Sequence, residues 1–314
     1  MSAATQTRSM SADPACPDWT RDGADWPNRA ASRFVEAGGI RFHVQIMGSG
    51  PPILLLHGTG AATHSWRDLA PMLAAHVTVI APDLPGHGFT SPLPWSRMSL
   101  PGMAAALRQL LIILDCPAPM LVVGHSAGAA IAVEMALERM IAPRGIVSLN
   151  GALRRFDGLA GRIFSPLAKL MSLNPLVPRI FAWRAADPAV VARLLESTGS
   201  RIDPRGADLY GRLARRSGHA GAALSMMANW DLNRVEADLP KLAARLLLIT
   251  GSDDRSIPPS DAAMLARRVA TAQHVRLPRL GHLAHEEQPA LIADLIIKFA
   301  ENLGVLPAAT NERD

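Results

Sequence analysis

The sequence is poor in cysteine: only Cys16 and Cys116, with no C-x-x-C spacing. That leaves neither a disulfide framework nor a zinc site to argue for, and makes a reducing compartment, the cytoplasm, the expectation. Long apolar runs are also missing. Residues 53–56 and 110–114 fall far short of the ~20 needed to cross a bilayer, so a soluble protein is expected. The first ~30 residues hold Ser, Thr, Asp, Pro and Arg instead of the apolar core of a signal peptide, and residues 1–31 read as a flexible leader. There is no G-x-x-x-x-G-K phosphate loop and no metal-ligand spacing, so no metal or other cofactor is expected. No internal repeat appears. The net charge of +5 is carried almost entirely by arginine, without the interleaved aromatics that track a nucleic-acid backbone, so no nucleic-acid partner is expected.

What is present is apolar residue, 49% of 314. That is enough for one substantial core, and a single large α/β domain with an insertion fits better than two equal domains. Segments 32–36 and 41–46 around Gly38-Gly39 read as a β-hairpin. Short apolar runs at 52–56, 77–81, 120–123, 146–149 and 246–250 each end at Gly, Asp, Asn or His, as buried parallel strands do. Helical periods lie between them, at 66–73, 103–114 and 129–140, and a last helix is expected over 286–303. The alternation predicts βαβ units with helices on both faces of a mostly parallel sheet. The rhythm stops over 152–239, where helical patterns are cut at Pro175, Pro178, Pro188 and Pro204. This reads as a helical cap inserted into a core of residues 32–151 and 240–303, with a polar tail at 304–314.

Chemistry concentrates where strands end. Gly124-His125-Ser126-Ala127-Gly128 stands between an apolar strand and a helix, the setting a G-x-S-x-G nucleophile turn requires. The glycines are needed because a strand turning sharply into a helix leaves no room for a Cβ. A serine hydroxyl needs a base in reach, itself oriented by a carboxylate. Downstream, residues 251–258 carry Asp253 and Asp254 after one strand, and Gly281-His282 follows another, so the order is Ser, Asp, His. Asp254 is preferred as the acid, with Asp253 exposed or capping the turn; sequence alone does not decide between them. His285 rivals His282 and reads instead as a capping residue. Oxyanion donors are expected from the amides of Ala127 and of Thr59, in His57-Gly58-Thr59-Gly60. Residues 83–88, with His87, read as a rigid turn.

His57-Gly58-Thr59-Gly60, residues 83–88, Gly124 to Gly128, residues 251–254 and Gly281-His282 together resemble the α/β-hydrolase superfamily across residues 32–303. That resemblance implies an eight-stranded, mostly parallel sheet with helices on both faces and the cap after the sixth strand. It also implies Ser126 as nucleophile, His282 as base, Asp254 as acid, and Thr59 and Ala127 as the oxyanion hole. A closer likeness covers residues 25–29, 55–61 with 63–69, and 124–129. These stretches look like the magnesium-chelatase accessory family of bacteriochlorophyll biosynthesis (BchO type), which implies a tetrapyrrole-pathway role and a functional link to magnesium chelatase.

A tetrapyrrole is an apolar disc with anionic propionates, so its pocket should offer apolar walls and a few cations. The insertion holds Ile163, Phe164, Leu167, Leu170, Met171, Phe181, Trp183, Met226, Met227 and Trp230, with Arg162, Arg179, Arg184, Arg212, Arg215 and Arg216. Gly58, His125, Trp183, Met227 and Trp230 are expected to touch an apolar small-molecule substrate. The plain alternative is that these apolar residues only bury the cap and the arginines are solvated. A third reading docks residues 163–183 peripherally on a membrane. Two functions of different class follow: a serine hydrolase, or a non-catalytic module that presents porphyrin to the chelatase.

Overall fold

Residues 53–56 are apolar at every position because both faces of their strand are covered. The computed structural model describes residues 15–155 and 174–308. It contains one eight-stranded sheet: β1 (Ser32–Ala37), β2 (Ile40–Met47), β3 (Pro52–Leu56), β4 (Thr78–Pro82), β5 (Leu121–His125), β6 (Gly145–Leu149), β7 (Arg245–Gly251) and β8 (Ala272–Leu277), in the order β1-β2-β4-β3-β5-β6-β7-β8. The β1–β2 and β2–β4 pairs are antiparallel and all others parallel. Gly38 and Gly39, both at positive φ (59° and 78°), turn the β1–β2 hairpin as read.

Successive side chains on a strand point to opposite faces, and the core divides accordingly. Leu54, Leu56, Val122, Ile146, Leu246 and Leu248 lie on one face under α2 (Leu100–Ile113) and α3 (Ala127–Leu137). Ile53, Leu55, Leu121, Val123, Val147, Leu149, Leu247 and Ile249 lie on the other, with α1 (Leu69–Ala74) and the C-terminal helix. Leu54, Leu55 and Leu56 are fully buried, each contributing roughly 1.5–3 kcal/mol of burial energy.

Between β6 and β7 the described residues form helices α4 (Leu176–Arg184), α5 (Pro188–Ser197), α6 (Pro204–Ala214), α7 (Ser217–Ala228) and α8 (Asn233–Asp238). Asp187 and Asp203 cap the second and third of these, each followed by proline at the first helical position. After β7 come α9 (Pro259–Arg268), α10 (Ala284–Glu287) and α11 (Pro289–Asn302). The last helix therefore starts at Pro289, not at 286. The residue before a proline is pushed out of the helical region, and Gln288 sits at φ −140°, ψ 66°. Among the described residues no helix is long and apolar enough to cross a membrane.

Residues 15–31 correct the expectation of a flexible leader. Trp26 is 2% exposed, donates its indole N–H to Thr63 Oγ1 at 3.0 Å, and packs edge-on against Phe89. Asp22 pairs with Arg216 and Asp25 with Arg212, which ties this segment to α6 and α7 of the cap. The burial of the Trp26 ring outweighs the polar composition that suggested a solvated chain. Residues 1–14 lie outside the described residues.

Candidate active site

The parallel strands deliver their C-terminal loops to one edge of the sheet, and every sequence-predicted catalytic residue stands there. Ser126 follows β5 at φ 52°, ψ −117°. A non-glycine residue held there costs on the order of 1–3 kcal/mol. Backbone bonds on both sides hold it: its N–H donates to the Leu149 carbonyl at 3.0 Å, and its own carbonyl accepts from Ala152 at 3.0 Å and Ala129 at 3.2 Å. The flanking glycines are obligatory, as read. A Cβ at Gly124 would come within 2.4 Å of the Ala129 nitrogen, and one at Gly128 within 2.1 Å of the Leu56 carbonyl oxygen.

Asp254 and His282 meet: His282 Nδ1 lies 2.8 Å from Asp254 Oδ2. The same oxygen accepts from Asn150 Nδ2 at 2.7 Å, while Oδ1 accepts the amides of Ser256 and Ile257 at 2.7 and 2.9 Å. Burial alone would raise the Asp254 carboxyl; the bonds from His282, Ile257 and Asn150 more than offset it, leaving it below the ordinary carboxylate range. An ionised Asp254 assigns the proton to His282 Nδ1 and leaves Nε2 as acceptor. Asp253, by contrast, is exposed and accepts from the neighbouring Ser252 hydroxyl.

His125 joins the serine turn to this pair. Its ring lies 4.8 Å from that of His282, tilted 56° to it, and its Nε2 donates to the His282 carbonyl at 3.0 Å. Burial holds it neutral, with its pKa pushed down to about 3. The cap grips the base loop from outside. Ser200 Oγ accepts the Leu283 amide at 2.8 Å, and Gly281 is packed so closely on Gly199 that a Cβ would approach that residue's carbonyl carbon to 2.3 Å.

The expected oxyanion loop lies against the serine: a Cβ at Gly58 would reach 3.0 Å from Ser126 Cβ and 2.8 Å from His125 Nδ1. Ala127 is the first residue of α3, where a backbone N–H has no intrahelical acceptor. The loop at 83–88 is built as a rigid turn. Asp83 accepts from the amides of Thr63 and Phe89 and from His43 Nδ1, and a Cβ on Gly88 would strike Asp83 at 2.2 Å.

Other expectations need correction. His285 caps nothing: it is wholly buried, its ring 4.7 Å from Trp66 and 4.5 Å from His125. Its neighbour Glu286 is buried too, bound to Arg67 and to the Tyr210 hydroxyl at 2.7 Å, and Arg67 continues to Asp203 at 2.7 Å. That chain of polar groups fastens the cap to the core. Arg212 and Arg216, read as cations for propionates, are spent on Asp25, Asp208 and Asp22.

Of the expected substrate contacts, Trp183 is 73% exposed beside Arg184, Asp187, Val190 and Arg193, and Met227 is exposed. Trp230 is half-buried against the main core, and the methionine that reaches the site is Met226, with Sδ 3.7 Å from Thr59 Oγ1. Arg162, Ile163, Phe164, Leu167, Leu170 and Met171 lie outside the described residues. So does most of the stretch read as a membrane face; in its remainder Leu176, Ile180 and Trp183 are exposed.

Sequence reasoning missed Asn150, which sits at φ 46° just past β6 and holds the acid. An Asn closing a buried strand was the available signal, and it was read only as a strand end.

Comparison with known proteins gives the family and the fold. The alpha/beta hydrolase family matches residues 53–295. The chain is 37% identical over 280 residues to a magnesium-chelatase 30 kDa subunit of Rhodobacter capsulatus, covering 88% of this chain and 97% of that protein. It is 29% identical to a 2-hydroxy-6-oxo-2,4-heptadienoate hydrolase of Pseudomonas putida, covering 83% and 93%. An alpha/beta hydrolase fold protein from Burkholderia ambifaria superposes with a TM-score of 0.71 at 24% identity, covering 85% of this chain and 97% of that one.

Proposed function

The chain belongs to the alpha/beta hydrolase family, and from that premise we propose that it is a serine-dependent hydrolase opening an ester or related acyl group through Ser126, His282 and Asp254. The observation that carries this reading is the pairing of a serine in a strained, fully braced turn with a histidine whose Nδ1 is held by a four-bonded carboxylate. In the reaction His282 Nε2 takes the Ser126 proton as Oγ attacks the acyl carbon. The amides of Thr59 and Ala127 receive the developing oxyanion, and His282 returns the proton to the leaving group. Water, deprotonated by His282, then hydrolyses the acyl-serine. Nothing in this sequence calls on a cofactor.

The similarity to a magnesium-chelatase subunit supports a place in tetrapyrrole biosynthesis beside that enzyme, with an apolar tetrapyrrole as substrate. The same similarity favours a second reading, a porphyrin-presenting accessory that uses the fold for its pocket alone. One experiment separates them. In a bacteriochlorophyll-producing strain lacking this gene, a copy carrying Ser126→Ala should fail to restore pigment and should accumulate one intermediate. Full restoration would leave the presenting module standing and remove the hydrolase.

A further inference from the structure

Two histidines, one from the core and one from the cap, brace the loop that carries Thr59, and they do so by the same device. The Leu84 amide donates to His57 Nε2 at 2.9 Å, so the His57 proton is on Nδ1, which donates to the Gly58 carbonyl at 2.8 Å. The Gly88 amide donates to His219 Nδ1 at 3.1 Å, so the His219 proton is on Nε2, which donates to the Gly60 carbonyl at 3.1 Å. Each imidazole thus carries a hydrogen bond from the turn at 83–88 to the carbonyl of one of the two glycines beside Thr59, Gly58 or Gly60, using opposite tautomers. His219 belongs to α7, and the helix touches both loops elsewhere as well. Met226 lies on Thr59, and a Cβ on Gly86 would come within 2.6 Å of Ala222 Cβ.

We propose that His219 is a positioning residue for the oxyanion hole, so that the Thr59 amide is correctly aimed only when α7 of the cap is seated. The physical link is the planar trans peptide, in which C=O and N–H point in opposite directions. Fixing the Gly58 carbonyl from behind aims the Thr59 N–H, and fixing the Gly60 carbonyl orients its own peptide, whose Ala61 N–H donates to that same Gly58 carbonyl at 3.2 Å. Gly60 is at φ 77° with open space where a Cβ would stand, so that peptide is held by its two hydrogen bonds, its carbonyl to His219 and the Ala61 N–H to the Gly58 carbonyl. A donor that must sit within a few tenths of an ångström of a developing oxyanion is sensitive to those bonds. Both imidazoles act as acceptors, so both must be neutral, and burial keeps them so: His57 is shifted down and His219 down to about 4. The cap's contribution is then made to turnover, not only to enclosing a substrate.

This inference rests on the serine-hydrolase reading for its kinetic half, so its test has a second half that needs no activity. His219→Ala removes donor and acceptor, whereas His219→Gln keeps one of each. With p-nitrophenyl butyrate as probe, kcat should fall about 10-fold in the Ala variant with KM changed less than about twofold, and the Gln variant should recover to within about threefold of wild type. Backbone amide NMR should show the Thr59 and Gly60 resonances displaced in Ala and near their wild-type positions in Gln. If the Ala variant does not fold, His219→Asn, whose amide is too short to span both partners, replaces it with the same expectation. Equal kcat in all variants, equal loss in Ala and Gln, or unmoved Thr59 and Gly60 resonances would each overturn the inference. A wild type that never turns over the ester would sink the hydrolase reading while the resonances still decide the bracing.

Discussion

The strand-end loops and the cap hold their polar groups in different ways. At the strand ends, Ser126 is fixed by backbone bonds and Asp254 by two backbone amides with the Asn150 and His282 side chains, all from loops that leave the sheet. The cap reaches the same edge mostly through side chains, His219 to the oxyanion loop, Ser200 to the base loop, and Asp203 and Tyr210 to the Arg67–Glu286 pair, and also through the Thr198 carbonyl, which accepts from the Arg255 amide at 3.0 Å. On the proposed function the sheet supplies the reacting groups, while the cap tunes where they point. Losses at the strand ends should abolish turnover; losses at the cap should grade it.

The sharpest contrast lies between two adjacent aspartates. Asp254→Asn should lower kcat by about 10³–10⁴-fold by leaving His282 in the wrong tautomer, while Asp253→Asn should stay within about twofold. Steady-state kinetics on one ester decide it, and comparable losses in both would erase the assignment of the acid.

A smaller effect comes from the buried histidines, which must be neutral in the fold. His219 falls from 6.5 to about 4 and His125 to about 3, with desolvation the largest cause in each. Their folded values are depressed, so the stability they confer is full above about pH 6.5 and is lost as pH falls toward their folded values. His219 alone accounts for on the order of 3 kcal/mol across that window. The urea midpoint should drop steeply between pH 7.5 and 4.5, less steeply in His219→Gln. A flat profile would contradict the neutral state on which both loop braces depend.

Much of the core was legible because its signals are local. Continuous apolar runs, glycines at the serine turn and the order Ser, Asp, His gave the sheet, the crossing helices and the residues at the strand ends. The preference for Asp254 over Asp253 agrees with their exposure, which a chain of letters does not display. What the sequence hid were long-range pairings. Nothing local links His219 to Gly60, Tyr210 to Glu286, or Trp26 to Thr63, and each partner is 37 or more residues away. The same limit explains the misread arginines: Arg212 and Arg216 look like spare cations until Asp25 and Asp22 fold back onto them. His285, next to two glutamates, was read as a cap because burial is not visible in its neighbours.

The central claim is that Ser126 is an activated nucleophile. Incubation with a fluorophosphonate followed by intact-mass and peptide analysis measures this directly. A single phosphonyl adduct on Ser126 in the wild type, absent in Ser126→Ala and strongly slowed in Asp254→Asn, is the predicted result. No adduct in the wild type, or equal labelling of wild type and Ser126→Ala, would contradict it.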